Sequence, residues 1–255
     1  MKTCCIVVIG HVDHGKTSLV HALTGIETDR LPEEKARGMS ITPGFAHSTY
    51  PDGTIDFIDA PGHADFIQAM ICGATGASGA LVVVSAVEGI GAQTLEHLCI
   101  AGLLGIKNGV VAVTKSDLLS PSQMAVRLIE IRASMLRTPF AKAPLVVCSA
   151  LTRYGLADLQ MALEVFLSDT NDTPRPLQSF LPIDRVFTYT GQGTIVTGTL
   201  LGKDLRVGET VALQPSGQNT TIRSLQSRGE KRDVIYAGER MAANLRGVGV
   251  SDITG

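Results

Sequence analysis

The chain has 255 residues, 44% hydrophobic and 18% charged, with a formal net charge of −2. That is enough apolar material for one large core or two modest ones, and it excludes a globally disordered chain. The near balance of charge excludes a generally basic nucleic-acid binder, so any RNA contact must be local.

From Lys2 to about Ser168, short aliphatic runs alternate with helical stretches. The runs are 4–9, 55–58, 80–84, 110–113 and 145–147, and the helical stretches are 17–23, 64–74, 94–104, 122–136 and 156–167. Continuous apolar runs between helices predict a mostly parallel sheet with helices on both faces, an α/β domain over 1–170. Pro61-Gly62 and Ser120-Pro121 punctuate helix starts. A polar, Pro-bearing linker is expected over 171–179. The period then changes. Segments 183–189, 194–200, 210–213, 220–226 and 239–245, separated by Gly-containing turns, predict an all-β barrel over 180–255.

Cys4, Cys5, Cys72, Cys99 and Cys148 form no Cys-x-x-Cys pairing. They read as thiols in a reducing compartment rather than a disulfide frame or zinc site. The N-terminus lacks signal-peptide features, and no apolar run approaches the roughly 20 residues of a membrane span. A cytoplasmic protein with no membrane partner is expected.

Gly10-His-Val-Asp-His-Gly-Lys-Thr17 fits G-x-x-x-x-G-K-[ST] between an apolar run and a helix, the context that makes this a phosphate loop. The glycines let backbone N–H groups turn toward phosphate along Asp13, His14, Gly15, Lys16, Thr17 and Ser18. Lys16 adds a point charge, Thr17 offers a hydroxyl to Mg²⁺, and the helix starting there points its positive end at the anion. Thr114-Lys-Ser-Asp117, with Leu118 behind it, selects the base. The Asp117 carboxylate can accept from guanine N1–H and its 2-amino group, and adenine offers neither donor there. The Lys115 stem can lie across the purine. Ser149, Ala150 and Leu151 follow the next strand, and the N–H groups at Ser149–Ala150 are expected at guanine O6.

Asp59-Ala-Pro-Gly-His63 follows the 55–58 run. Asp59 is the candidate to reach Mg²⁺ through water. The Gly62 N–H is the candidate γ-phosphate sensor, and His63 the residue orienting the attacking water. The charged segment 28–41 lies where a γ-phosphate-sensing loop belongs, which makes Ser40 a second hydroxyl ligand of Mg²⁺. Lys16, Gly62 and His63 form the expected catalytic set.

The phosphate loop, Arg37-Gly-Met-Ser-Ile41 and Asp59-Ala-Pro-Gly-His63 resemble the GTPase domain of EF-Tu-type translation factors. Thr24-Gly-Ile-Glu-Thr-Asp-Arg-Leu-Pro-Glu-Glu-Lys35 and Thr114 resemble the selenocysteine-specific branch of that family. Ile183-Asp-Arg-Val-Phe187, the 191–199 segment and the 237–247 segment resemble its β-barrel domain II. The resemblance implies binding of GTP and GDP with Mg²⁺, and a monovalent cation near Asp13. It implies ribosome-stimulated hydrolysis by His63 behind a gate of Val12 and Met39. It also implies that selenocysteinyl-tRNA and the ribosome are partners. Asp184, Arg185 and Arg240 match the basic pocket that would hold the selenolate, where two guanidiniums can pair with an anion.

Ser40 departs from the usual Thr and loses the methyl that stiffens χ1, and Thr42-Pro43 departs from the usual pattern after it. Gly255 stands where the resemblance places a third domain. An N-terminal piece and a naturally short protein both remain open, and contact with an mRNA hairpin is not expected from these residues. Other open readings are a short GTP-dependent tRNA- or partner-binding module, EF-Tu itself, initiation factor two gamma, and the GTPase subunit of sulfate adenylyltransferase.

Overall fold

Alternate side chains of the first strand, β1 (Lys2–Ile9), serve two different cores. Cys4, Ile6 and Val8 pack with Leu19, Val20, Leu159 and Leu163. Val7 and Ile9 pack with Met70, Leu98, Ile131 and Met135. A strand whose neighbours point to opposite faces, with both faces apolar, must be covered on both sides. This explains the unbroken aliphatic runs.

The computed structural model describes residues 2–29, 40, 42–62, 67–169, 177–189 and 193–253. The chain divides into two compact units, Met1–Asp172 and Thr173–Gly255. In the first unit the strands after β1 are β2 (Gly44–Tyr50), β3 (Gly53–Asp59), β4 (Gly79–Ser85), β5 (Gly109–Thr114) and β6 (Leu145–Val147). The sheet order is β2-β3-β1-β4-β5-β6. All neighbours are parallel except β2, which runs antiparallel to β3.

The helices are α1 (Lys16–Thr24), α2 (Ile67–Ala74), α3 (Ala92–Leu103), α4 (Pro121–Met135) and α5 (Leu156–Asp169). α1 and α5 contribute to one core; α2, α3 and α4 contribute to the other. α4 starts as its sequence predicts. The Ser120 side chain accepts from the Gln123 N–H, the Gln123 side chain accepts from the Ser120 N–H, and Pro121 sits in the first turn.

The strand β2 had no counterpart among the predicted runs. Its sequence, Gly-Phe-Ala-His-Ser-Thr-Tyr, lies at the sheet edge with only part of its length buried, so it lacks the aliphatic run of its neighbours. The expected linker lies largely outside the described residues. The described ladder of β1, β3, β4, β5 and β6 leaves the loops that begin at Gly10, Ala60, Lys115 and Cys148 at one carboxyl edge, where ligands bind in such sheets.

The second unit is antiparallel. Its strands are β7 (Arg185–Tyr189), β8 (Gly193–Thr199), β9 (Leu205–Arg206), β10 (Thr210–Leu213), β11 (Gln218–Ser227), β12 (Glu230–Arg232), β13 (Val234–Ile235) and β14 (Arg240–Leu245). The main sheet runs β10-β11-β14-β8-β7, β12 adds to β11, and β13 pairs with β9. Val196, Leu200, Ile222, Leu225, Met241 and Leu245 fill the centre of this barrel-like domain. The very short strands β9, β12 and β13 carry too few residues for period-2 patterning to announce them.

Candidate nucleotide site

The phosphate loop is held from behind by close backbone packing. A Cβ on Gly10 would collide with the Val83 carbonyl, so glycine alone permits the approach of β1 to β4 there. Asp13 takes a left-handed conformation at φ 61. Gly15, at φ 84, precedes α1, whose start has no side-chain cap and whose first residues line the cleft. The Thr114 hydroxyl donates to the His14 carbonyl at 2.7 Å, tying the end of β5 directly to the phosphate loop.

A cleft of about 670 Å³ opens beside the loop. It is lined by Val12, Asp13, Gly15, Lys16, Thr17 and Ser18, by Asp29 and Ser40, by Gly62, and at its far end by Lys115, Ala150, Leu151 and Arg153. The sequence-predicted phosphate, metal and base residues are thus largely brought together. His63 and Met39 lie outside the described residues.

Side-chain oxygens of Thr17, Thr28, Asp29, Ser40 and Asp59 converge beside the cleft. The Thr17 hydroxyl donates to Asp59 Oδ2 at 2.8 Å, and Thr28 donates to the same oxygen at 2.7 Å. Ser40 Oγ lies 3.2 Å from Thr17 Oγ1 and donates to Asp29 Oδ1 at 2.7 Å. Asp59 Oδ1 is buried with no hydrogen-bond partner among the described residues. Burial pushes the Asp59 carboxyl above its ordinary range, opposed by the Thr28 and Thr17 hydrogen bonds and by Lys16. An all-oxygen donor set with an orphaned carboxylate oxygen fits a hard cation such as Mg²⁺.

Lys16 is its positive counterpart. Its Nζ donates to the Gly10 and His11 carbonyls at 3.1 and 2.8 Å. Burial depresses it to about 8, against raising contributions from Asp59, Asp13 and Asp29. A buried ammonium whose hydrogen bonds among the described residues go to neutral carbonyls is suited to an incoming anion. Gly62 packs against it. A Cβ there would meet Lys16 Nζ and come within 2.9 Å of the Val12 amide nitrogen.

Some expectations change. The Ser149 N–H donates to the Tyr154 carbonyl at 2.9 Å and shapes the loop, while Ala150 and Leu151 line the cleft. The His14 side chain is buried behind the loop rather than in the cleft. Asp117 is exposed on the 3-10 turn Ser116–Leu118, and neither it nor Leu118 lines the cleft; Lys115 does, at φ 56. Thr28, Asp29 and Arg153 were not singled out as ligands. The first two were hidden in what reads as a solvated charge run, and only the Thr17–Asp59–Ser40 cluster reveals them.

In the second unit, Arg240 Nη1 donates to Asp184 Oδ2 at 2.5 Å, and Thr197 Oγ1 donates to Asp184 Oδ1 at 2.6 Å. The two charged side chains are only 11% and 7% exposed. The pair of guanidiniums expected to face an anion is therefore reduced. Arg240 is matched by Asp184, and half-buried Arg185 stands next to it at the start of β7.

Residues 1–169 match the family described as the elongation factor Tu GTP binding domain. A selenocysteine-specific elongation factor from Desulfomicrobium baculatum is 44% identical over 96% of this chain and 39% of its own length. A crystal structure of a bacterial selenocysteine-specific elongation factor, EF-Sec, matches with a TM-score of 0.92 at 37% identity, over 100% of this chain and 44% of that one. The elongation factor SelB of Methanococcus maripaludis, solved with the GTP analogue GppNHp, matches with a TM-score of 0.85 at 30% identity, over 100% of this chain and 54% of that one. This chain thus spans well under two thirds of these relatives. With the phosphate-loop motif and the oxygen cluster at one sheet edge, the chain belongs to the elongation factor Tu GTP-binding domain family.

Proposed function

We propose that this chain binds GTP and GDP with Mg²⁺, hydrolyses GTP, and does so as part of a selenocysteine-specific elongation factor that carries selenocysteinyl-tRNA to the ribosome in the cytoplasm. The observation that carries the nucleotide reading is the unmet charge in the cleft. Asp59 is short of a cation, and Lys16 is short of an anion. A metal–phosphate complex satisfies both at once.

Thr17 and Ser40 would hold the metal directly and Asp59 through water. Bound there, Mg²⁺ supplies neutralisation of the β- and γ-phosphate oxygens. The Lys16 ammonium and the loop N–H groups stabilise charge on the transferring phosphoryl group. The Gly62 N–H senses the γ-phosphate, and His63 orients the attacking water. Lys115 covers one face of the purine, and Asp117 reads its N1–H and 2-amino group. In the second unit, Asp184, Arg185 and Arg240, close together at the start of β7 and β14, would line the pocket for the selenolate.

The test is protection of the selenocysteinyl ester of the charged tRNA against hydrolysis by this chain. Protection with GTP that is lost with GDP supports the full reading. Equal hydrolysis in both, in a chain that binds GTP, removes the tRNA-carrying part and leaves a nucleotide-binding module.

A further inference from the structure

Behind the phosphate loop, away from the oxygen cluster, His11, His14 and Glu88 stand together. They form a group of possible metal-ligating side chains whose ligand atoms lie within 4.8 Å of one another. The two imidazoles stack with centroids 5.2 Å apart at 28°. His11 Nδ1 lies 2.9 Å from the Val12 carbonyl oxygen, and His14 Nδ1 lies 3.3 Å from that of Val83. His14 Nε2 faces Glu88 Oε2 at 3.5 Å. The other Glu88 oxygen lies 3.4 Å from Lys115 Nζ.

His14 therefore sits between two acceptors. A neutral imidazole has a single N–H. If Nδ1 carries it toward Val83, the Nε2 lone pair points at a carboxylate. If Nε2 carries it, the Nδ1 lone pair points at a carbonyl. Only a positive charge on the ring or beside it satisfies both sides. The ring is 1% exposed, and burial lowers its basicity, so a second proton is disfavoured. An imidazole anchored through Nδ1–H to a carbonyl, with Nε2 turned to a carboxylate, is the arrangement of a metal-binding histidine.

We propose that His11, His14 and Glu88 form a binding site for a borderline divalent transition metal of the Zn²⁺ or Co²⁺ class, separate from the hard-cation site at Thr17, Ser40 and Asp59. Imidazole and carboxylate suit such ions, whereas Mg²⁺ prefers oxygen alone. Glu88 is 46% exposed on its side chain and can close onto the ion, which draws it from Lys115. On the guanine-site reading, which this consequence alone rests on, metal occupancy loosens the lysine over the base.

The test is a titration of the Mg²⁺·GDP-loaded chain with Co²⁺ followed by visible absorption, and with Zn²⁺ by calorimetry. The proposal predicts one ion per chain. Affinity falls at least tenfold in Glu88→Gln and in His11→Asn, and is unchanged in a Cys72→Ser/Cys99→Ser double variant, which removes the exposed thiols. No binding, binding indifferent to Glu88→Gln and His11→Asn, or binding abolished by the cysteine changes overturns it. Glu88→Gln is a surface change, so its result reads on the site and not on folding. Failure of GDP to load disproves the nucleotide reading, while the metal titration of the unloaded chain still decides the site.

Discussion

The two units each hold a buried acid–base arrangement, and the two are built in opposite ways. In the first, among the described residues, Asp59 keeps one oxygen unpartnered and Lys16 hydrogen-bonds carbonyls. In the second, both Asp184 oxygens are taken, one by Arg240 and one by Thr197. Unmet polar groups in a buried place cost stability and persist where a ligand settles them. A closed pair settles itself. The difference separates carboxylate and ammonium groups left open to a ligand from a carboxylate already satisfied within its own domain.

The largest expected effect is on the closed pair. Arg240→Met strands the buried Asp184 carboxylate and should cost about 3–5 kcal/mol of stability in the second unit, read by chemical denaturation. An Asp184→Leu/Arg240→Met double variant should recover most of that loss. If the single variant costs nothing, the pair is not self-contained and the contrast collapses.

Next comes Lys16→Met. It should weaken GTP binding by about 10- to 150-fold, the range for hydrogen bonds to charged groups. The same change should not destabilise the nucleotide-free unit. The pH dependence follows from the same side chain. Its folded value, about 8, lies below the ordinary 10.5. Between those values the unfolded chain binds more protons than the folded one. The Lys16 contribution to stability without nucleotide therefore rises with pH across that window. Phosphate favours the ammonium, so GTP affinity should fall above pH 8, with proton uptake on binding. Calorimetry in buffers of different ionisation enthalpy checks both signs. A nucleotide affinity flat from pH 7 to 10 contradicts the assignment.

Smaller effects sharpen the base end of the cleft. Asp117→Asn should cost about tenfold or more in GTP affinity and narrow the preference over inosine triphosphate, which lacks the 2-amino group. Equal loss for both nucleotides would remove Asp117 from base reading. Smallest is Ser120→Ala, which loses the α4 cap for about 1 kcal/mol with no change in nucleotide binding.

Much of this was legible in the sequence. The central strands are buried on both faces, so their aliphatic runs announce them, and the structure extends most by only a residue or two. The nearness of Thr17 to Asp59 is also legible, because a motif places each beside a strand end. What stayed hidden was long-range pairing. Thr28 reaches Asp59 across 31 residues and Arg240 reaches Asp184 across 56, and neither leaves a local periodic signature. The hydrogen bond of the Ser149 amide to Tyr154 is hidden for a related reason, since it is set by the turn geometry of 149–154 rather than by residue type.

The central claim is that the unmet charges of Asp59 and Lys16 belong to a magnesium–guanine-nucleotide complex. Competition of GTP, GDP and ATP against a fluorescent GDP analogue, with Mg²⁺ and then with chelator, tests it most directly. GTP and GDP should displace the probe at one site per chain, ATP should fail at 100-fold excess or about 2.7 kcal/mol, and chelator should release the nucleotide. Displacement by ATP as effective as by GTP, or binding indifferent to Mg²⁺, would contradict it.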